Sequence, residues 1–345
     1  MEQPMHMRLQ SEEQPLEKPR NPQSQCGLFK IPLEIRESIF RLALADYEDP
    51  SADQQYDKDS CWARPSYNSP RRSDIALLQT CQAVFRETWF LPFMLKEQTH
   101  WITDPDRAPP HYNFESAARR LELTVGDMRR RHGQPVEIGS LRIFTQMYKI
   151  EERQVAMFLE TVPDLAFRRL YITIRHTDFW FWERDAPLGF DSRWVPIVSS
   201  ALPSSVEEVI IEMETVERKQ KQLYDIARQM TERWYFQKRD GTPLVADSTP
   251  NSYEVTRWQG SSTWHNERWV RDESSEGVIE YYVAAVKFQS QLALEKRGGM
   301  VSSRVLRAIT WGGPGVADAL IYPEEISDEM LMMQSEHSYS TQHEW

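Results

Sequence analysis

Four stretches of this chain place apolar residues at the first, fourth and sixth positions of a six-residue window: Ala118, Leu121, Leu123; Ile138, Leu141, Ile143; Phe167, Leu170, Ile172; and Val206, Val209, Ile211. The closing alternation in each window marks a strand with one buried face. Three of the windows are followed by stretches with helical apolar spacing: Glu151 to Thr161 with Val155, Phe158 and Leu159; Ser192 to Leu202 with Val195, Val198 and Leu202; and Val216 to Trp234 with Leu223, Ile226, Ala227 and Met230. Strand and helix therefore alternate. Strands joined through helices run parallel, because the crossover returns the chain to the same end of the sheet.

This spacing predicts an α/β (mixed α+β) fold over residues 96–310, built as a curved, leucine-rich-repeat-like strand-helix sheet in which each unit buries its face against the next. The windows lie 20, 29 and 39 residues apart, counted from Leu121 to Leu141, Leu170 and Val209. Three residues beyond each window stand Gly126, Gln146, Arg175 and Glu214, so no asparagine ladder forms. An ordinary open α/β sheet accounts for the same alternation. Beyond Trp234 the pattern changes. The Asp240-Gly241 turn signal and the β-favouring runs Tyr253 to Trp258 and Val278 to Phe288 predict antiparallel strands that extend the sheet, with one more helix in 290–309 weakened by Gly298-Gly299.

Ahead of the sheet lie two amphipathic stretches. In residues 28–44, LFKIPLEIRESIFRLAL, Ile35, Ile39 and Leu42 share one helical face, Phe40 and Leu44 widen it, and Pro32 suits a first helical turn. Residues 74–91 carry Leu77, Leu78, Cys81, Val84, Phe85 and Trp89 at helical spacing, and Pro92 limits continuation. Together, residues 26–95 read as a helical module interrupted by a polar insert, 45–73, that looks like a long loop. Residues 1–25 hold four prolines and no apolar periodicity, which predicts a disordered leader. Residues 318–345 carry seven acidic side chains and no Lys or Arg, which predicts a flexible acidic tail.

The strings IPLEIRESIF and LLQTCQAVFRETWFLPF resemble the paired N-terminal motifs of a group of uncharacterised filamentous-fungal F-box-like proteins. The stretch LYITIRHTDFWFWERDAPLG is similar to the body of the same group, so the likeness extends over roughly residues 28–290. An F-box is ordinarily a compact three-helix unit, and here the 29 residues of the insert split it. The resemblance implies an intracellular, cytoplasmic or nuclear substrate receptor. Its first helix would meet the Skp-family adaptor of a cullin-type ubiquitin ligase through Pro32, Leu33, Ile35, Ile39 and Phe40. An F-box-derived scaffold with no ubiquitin-ligase role is the alternative within the same group.

Charge and composition narrow the partners. Formal net charge is −11, from 52 acidic and 41 basic side chains, so phosphate backbones and anionic leaflets are repelled and neither nucleic acid nor membrane is expected as a partner. The clusters Arg119-Arg120 and Arg129-Arg130-Arg131-His132 read as a solvated loop in this acidic setting. No apolar run reaches the ~18 residues of a membrane span, and the N-terminus lacks the apolar stretch of a secretory signal. Three cysteines with no CxxC pair argue for a reducing compartment and against a zinc framework. The chain contains no GxSxG, HExxH, GxxxxGK[ST] or strand-following GxGxxG motif, and no cofactor is expected.

The most unusual string is HTDFWFWERDAPLGFDSRW, residues 176–194. Alternate aromatics filling the core explain it structurally. As a recognition surface it offers Trp180, Trp182, Arg184 and Trp194, residue types enriched at interface hot spots. The alternative is a hydrolase or carbohydrate-active enzyme in which two of Asp178, Glu183, Asp185 and Asp191 converge within roughly 5 to 10 Å. The leading expectation is a non-enzymatic protein-protein interaction protein.

Overall fold

The computed structural model describes residue 23 and residues 25–133, 135–312 and 320–323. Most of the leader and most of the acidic tail lie outside these residues. Within them the chain forms a mixed α/β structure around one mixed sheet.

Among the described residues a single helical turn, Gly27–Lys30, and three longer helices precede the sheet: α1 (Leu33–Ala43), α2 (Gln82–Thr88) and α3 (Leu91–Leu95). The stretch expected as a single second helix is thus two, with a 3-10 turn, Ala76–Gln79, before them. Pro92 sits in the first turn of α3, where a missing N–H costs nothing, so it opens a helix instead of ending one. Phe40 and Leu44 of α1 close a small core with Val84 and Leu91. Phe90 belongs to this cluster and, with Trp89, Phe93 and Met94, also packs on the main core.

The sheet begins with strands β1 (Gln98–Ile102), β2 (Val136–Thr145), β3 (Leu165–Ile174) and β4 (Glu208–Val216), paired in that order and all parallel. The connections run through α4 (Phe114–His132), α5 (Gln154–Thr161) and α6 (Trp194–Ala201), and α7 (Gln220–Arg233) follows β4. All four helices bury into one cluster with Leu141, Ile143, Leu170, Ile172, Val209 and Ile211. They therefore cover one face of the sheet. The strands β5 (Tyr235–Gln237), β6 (Pro243–Ala246), β7 (Glu254–Ser261) and β8 (Val278–Ser290) complete it, with β8 antiparallel to β4, β6 and β7. Gly241, at a φ of 84°, makes the tight turn between β5 and β6. Two short helices, Gln291–Lys296 and Ser303–Thr310, stand where one was expected, separated by Gly298 with its left-handed φ.

Two of the four apolar windows lie wholly in strands, and a third, Val206 to Ile211, straddles the start of β4. The step of three before the step of two marks a phase shift: Ile138 and Leu141 both point to the helices because the chain slips one position at Gly139-Ser140. Its neighbour β3 slips at Arg168-Arg169, directly alongside. The first window is a correction. Ala118, Leu121 and Leu123 lie in α4, and the first parallel strand is β1 instead; the arginine clusters at 119–120 and 129–131, expected in a solvated loop, lie on the same helix. A step of three suits a helix as well as a slipped strand, and the continuation Leu121, Val125, Met128, all buried, is helical. Asn113 caps this helix by accepting from the Ser116 N–H at 2.8 Å, and Gly133 ends it in the left-handed conformation.

The insert is not a solvated loop. Asp46–Glu48 and Arg71–Ser73 pair as an antiparallel ladder that closes its neck. Its middle lies on the sheet face that the helices leave uncovered, with Trp62 and Tyr67 packed on Trp101 and Phe144. Among the described residues no helix is long and apolar enough to cross a membrane.

Candidate functional site

Helix α1 carries its apolar side chains on two opposite faces. Phe40 and Leu44 turn inward, and a bidentate pair from Arg36 to Glu87, at 2.9 and 3.2 Å, fixes the helix against α2. At 100° per residue, Ile35, Ile39 and Leu42 fall on the far side. Ile35 is 55% exposed, Leu42 is 81% exposed, and Ile39, Leu33 and Pro32 are exposed as well. The stripe Ile35, Ile39 and Leu42 therefore faces solvent, and Phe40 and Leu44, expected to widen that stripe, form the core instead. Of the five adaptor-side residues, Phe40 is the correction: it is buried under α2 and α3 and offers no surface to a partner.

The aromatic string divides differently from its expected role. Trp182 is 5% exposed, sharing a cluster with Trp264 and Trp269, and its ring lies 4.5 Å from that of Trp269. Trp194 is 1% exposed at the first turn of α6 and meets Trp234 edge-on at 5.6 Å. Both are corrections to a recognition role, because each fills a space that a partner cannot reach. Phe181 and Asp185, with φ of 52° and 60°, bend the backbone on either side of Trp182 and drive it inward. Trp180 stays 39% exposed and Arg184 is exposed. Trp180 donates its indole N–H to the Glu151 carboxyl at 3.1 and 3.2 Å. Burial pushes the Glu151 carboxyl up to about 7 against the effect of that hydrogen bond, and Asp191 adds to the rise.

The four carboxylates of the hydrolytic alternative are held by separate cations. Asp178 is buried against Arg175 at 2.6 and 3.0 Å, and Glu183 meets Arg107 at 3.3 Å. Asp185 bonds Arg218 and Lys219, which hold its carboxyl below the usual range despite partial burial, and Asp191 pairs with Arg193. They do not assemble as an acid and base around a shared space.

Sequence reading missed the polar group beneath the insert. Arg142 of β2 stacks 4.1 Å from the Tyr171 ring and bonds Thr173 at 2.8 Å and Glu212 at 3.2 Å. Arg64 of the insert reaches Glu212 at 3.0 Å and Glu214 at 3.5 Å, and Glu214 accepts from the Trp258 indole at 2.9 Å. Desolvation raises the Glu212 carboxyl, but Arg64 and Arg142 outweigh it and hold the group ionised. The Arg175 guanidinium donates to the Cys61 carbonyl at 3.1 Å, a second tie between sheet and insert. The signal was present in the strands: Arg142, Thr173, Glu212 and Glu214 alternate with the apolar residues that face the helices. His176 is buried and desolvation lowers its imidazole, and burial pushes the Cys61 thiol up, away from the reactive thiolate. Among the described residues no group of His, Cys, Asp or Glu is placed to hold a metal. No protein-family model, curated protein or solved structure matches this chain.

Proposed function

We propose that the chain is a protein-protein interaction protein whose α1 presents an apolar docking face, in the manner of an F-box-like substrate receptor meeting a Skp-family adaptor. The observation that carries this reading is the solvent-facing set Ile35, Ile39 and Leu42, with Leu33 at the first turn, on a helix whose opposite side is already anchored. Contiguous exposed apolar residues on a helix mark a partner surface, since leaving them in water forgoes about 25 cal/mol per Å². Helices on one side of the parallel strands support a leucine-rich-repeat-like reading of β1 to β4. Intracellular residence follows from the partner proposed.

Capture of the intact chain on an immobilised Skp-family adaptor tests the proposal. Leu33→Asp and Ile39→Asp are expected to abolish capture while leaving the thermal transition in place, because both side chains are exposed. No capture of the unaltered chain refutes the ubiquitin-ligase part and leaves the scaffold alternative.

A further inference from the structure

One groove shares no lining residue with the α1 face or the aromatic string. It has a volume of about 590 Å³, within the range of ligand-binding clefts, and follows β1, the strand at the open edge of the sheet. The backbone of that strand decides what the groove offers. The Trp101 N–H points away from β2, since it donates to the Tyr112 hydroxyl at 3.0 Å, whereas the Ile102 carbonyl accepts from Gln146 on the β2 side. Alternation along a strand then puts the N–H and C=O of Thr99 on the same outward side as Trp101. An open strand edge is a template for another extended chain.

The charge of the lining is opposite to that of the chain. Arg71, Lys96 and Arg120 line the groove against one carboxylate, Glu97, a balance of three to one in a molecule of net charge −11. Glu97 is engaged by Tyr67 and, at 3.3 Å, by Arg142, and Arg71 pairs with Asp46. Lys96 donates to the Arg71 carbonyl, and among the described residues neither Lys96 nor Arg120 has a carboxylate partner. His100 adds no charge, because burial and Arg120 hold its imidazole at about 4. Tyr56, Pro110 and Tyr112 supply apolar wall between these charges.

We propose that this groove binds an acidic, extended peptide segment of a partner protein, its backbone pairing with Thr99 and its carboxylates meeting Lys96 and Arg120. This names the recognition surface of the receptor reading and rests on it only in treating the chain as an interaction protein. Adaptor capture through Ile39 is scored separately, so either can fail alone.

The probe is a fluorescein-labelled octapeptide of alternating Glu and Val, titrated with the full chain in an anisotropy assay beside a Lys-Val counterpart and a Glu-Pro version that lacks backbone donors at alternate positions. The Glu-Val peptide is expected to bind at least tenfold more tightly than either control and to weaken as salt rises. Arg120→Glu and Lys96→Glu are each expected to cost at least tenfold, with thermal melting verifying that the variants fold. Absence of binding, equal binding of the Lys-Val peptide, or indifference to Arg120→Glu overturns the proposal. Binding of the Glu-Val peptide only after Glu324, Glu325, Asp328 and Glu329 are replaced by their amides also overturns the partner, and assigns the groove to the chain's own C-terminal segment.

Discussion

Glu151→Gln isolates one carboxyl that the fold holds at a cost. In the unfolded chain a glutamate titrates near 4.5, and in the folded protein burial moves Glu151 to about 7, so the native state binds an extra proton between those values. Stability therefore falls as pH rises through this window, and the whole penalty is present above the folded value. At roughly 1.4 kcal/mol for each of the pH units separating 4.5 from about 7, the penalty is about 3–3.5 kcal/mol at pH 8, and nearly absent at pH 4. Glutamine keeps an oxygen to accept from the Trp180 indole but cannot ionise. Urea unfolding of both proteins at pH 4 and pH 8 is expected to give matching stabilities at the lower pH and a gain of about 3–3.5 kcal/mol for the variant at the higher. Taking about 2 °C per kcal/mol for a chain of this size, the melting temperatures at pH 8 should differ by about 7 °C. Equal stabilities at pH 8, or an offset that does not change with pH, would refute the assignment of a desolvated Glu151.

Three further outcomes follow from the packing. Phe40→Ala should destabilise the front helices by about 3–5 kcal/mol, whereas Leu42→Ala on the opposite face should stay within about 0.5 kcal/mol, read by chemical denaturation. Trp194→Ala should cost about 3–5 kcal/mol and Trp180→Ala under about 1 kcal/mol, because only the former is buried, packed from the first turn of α6 on Trp234; similar costs would reverse the division of the aromatic string. Arg64→Ala strips one of two cations from the buried Glu212 and should cost about 3 kcal/mol, with amide hydrogen exchange in residues 45–73 rising before that of the sheet.

The parallel strands were legible because their apolar residues are buried on one face and nothing else competes for that pattern. The misread window, Ala118 to Leu123, shows where a short window fails: a step of three serves helix and slipped strand alike, and only the longer run to Met128 separates them. β1 escaped notice because it is a five-residue edge strand whose burial comes from Trp62, Tyr67 and Phe158, contacts far apart in sequence. The front helix was placed correctly, but its orientation was not legible, since two apolar stripes of similar strength compete for the same small core. Phe40 and Leu44 win it. For the string 176–194 the composition was visible, while the inward turn of Trp182 depends on left-handed residues at Phe181 and Asp185 that carry no glycine signal. The buried ion group needed partners from three places, the insert, β2 and β4, and no local pattern could assemble it.

The way residues 45–73 are fastened has a mechanical consequence. Their neck is zipped by a short ladder and their middle is stapled through Arg64 and the Cys61 carbonyl, so the front helices cannot swivel freely over the sheet. Whatever sits on α1 is carried at a set bearing relative to the cleft beside β1, as on a bracket and not on a tether. Two ligands held this way meet at a separation dictated by shape, and lengthening or shortening a linker elsewhere in the chain will not retune it.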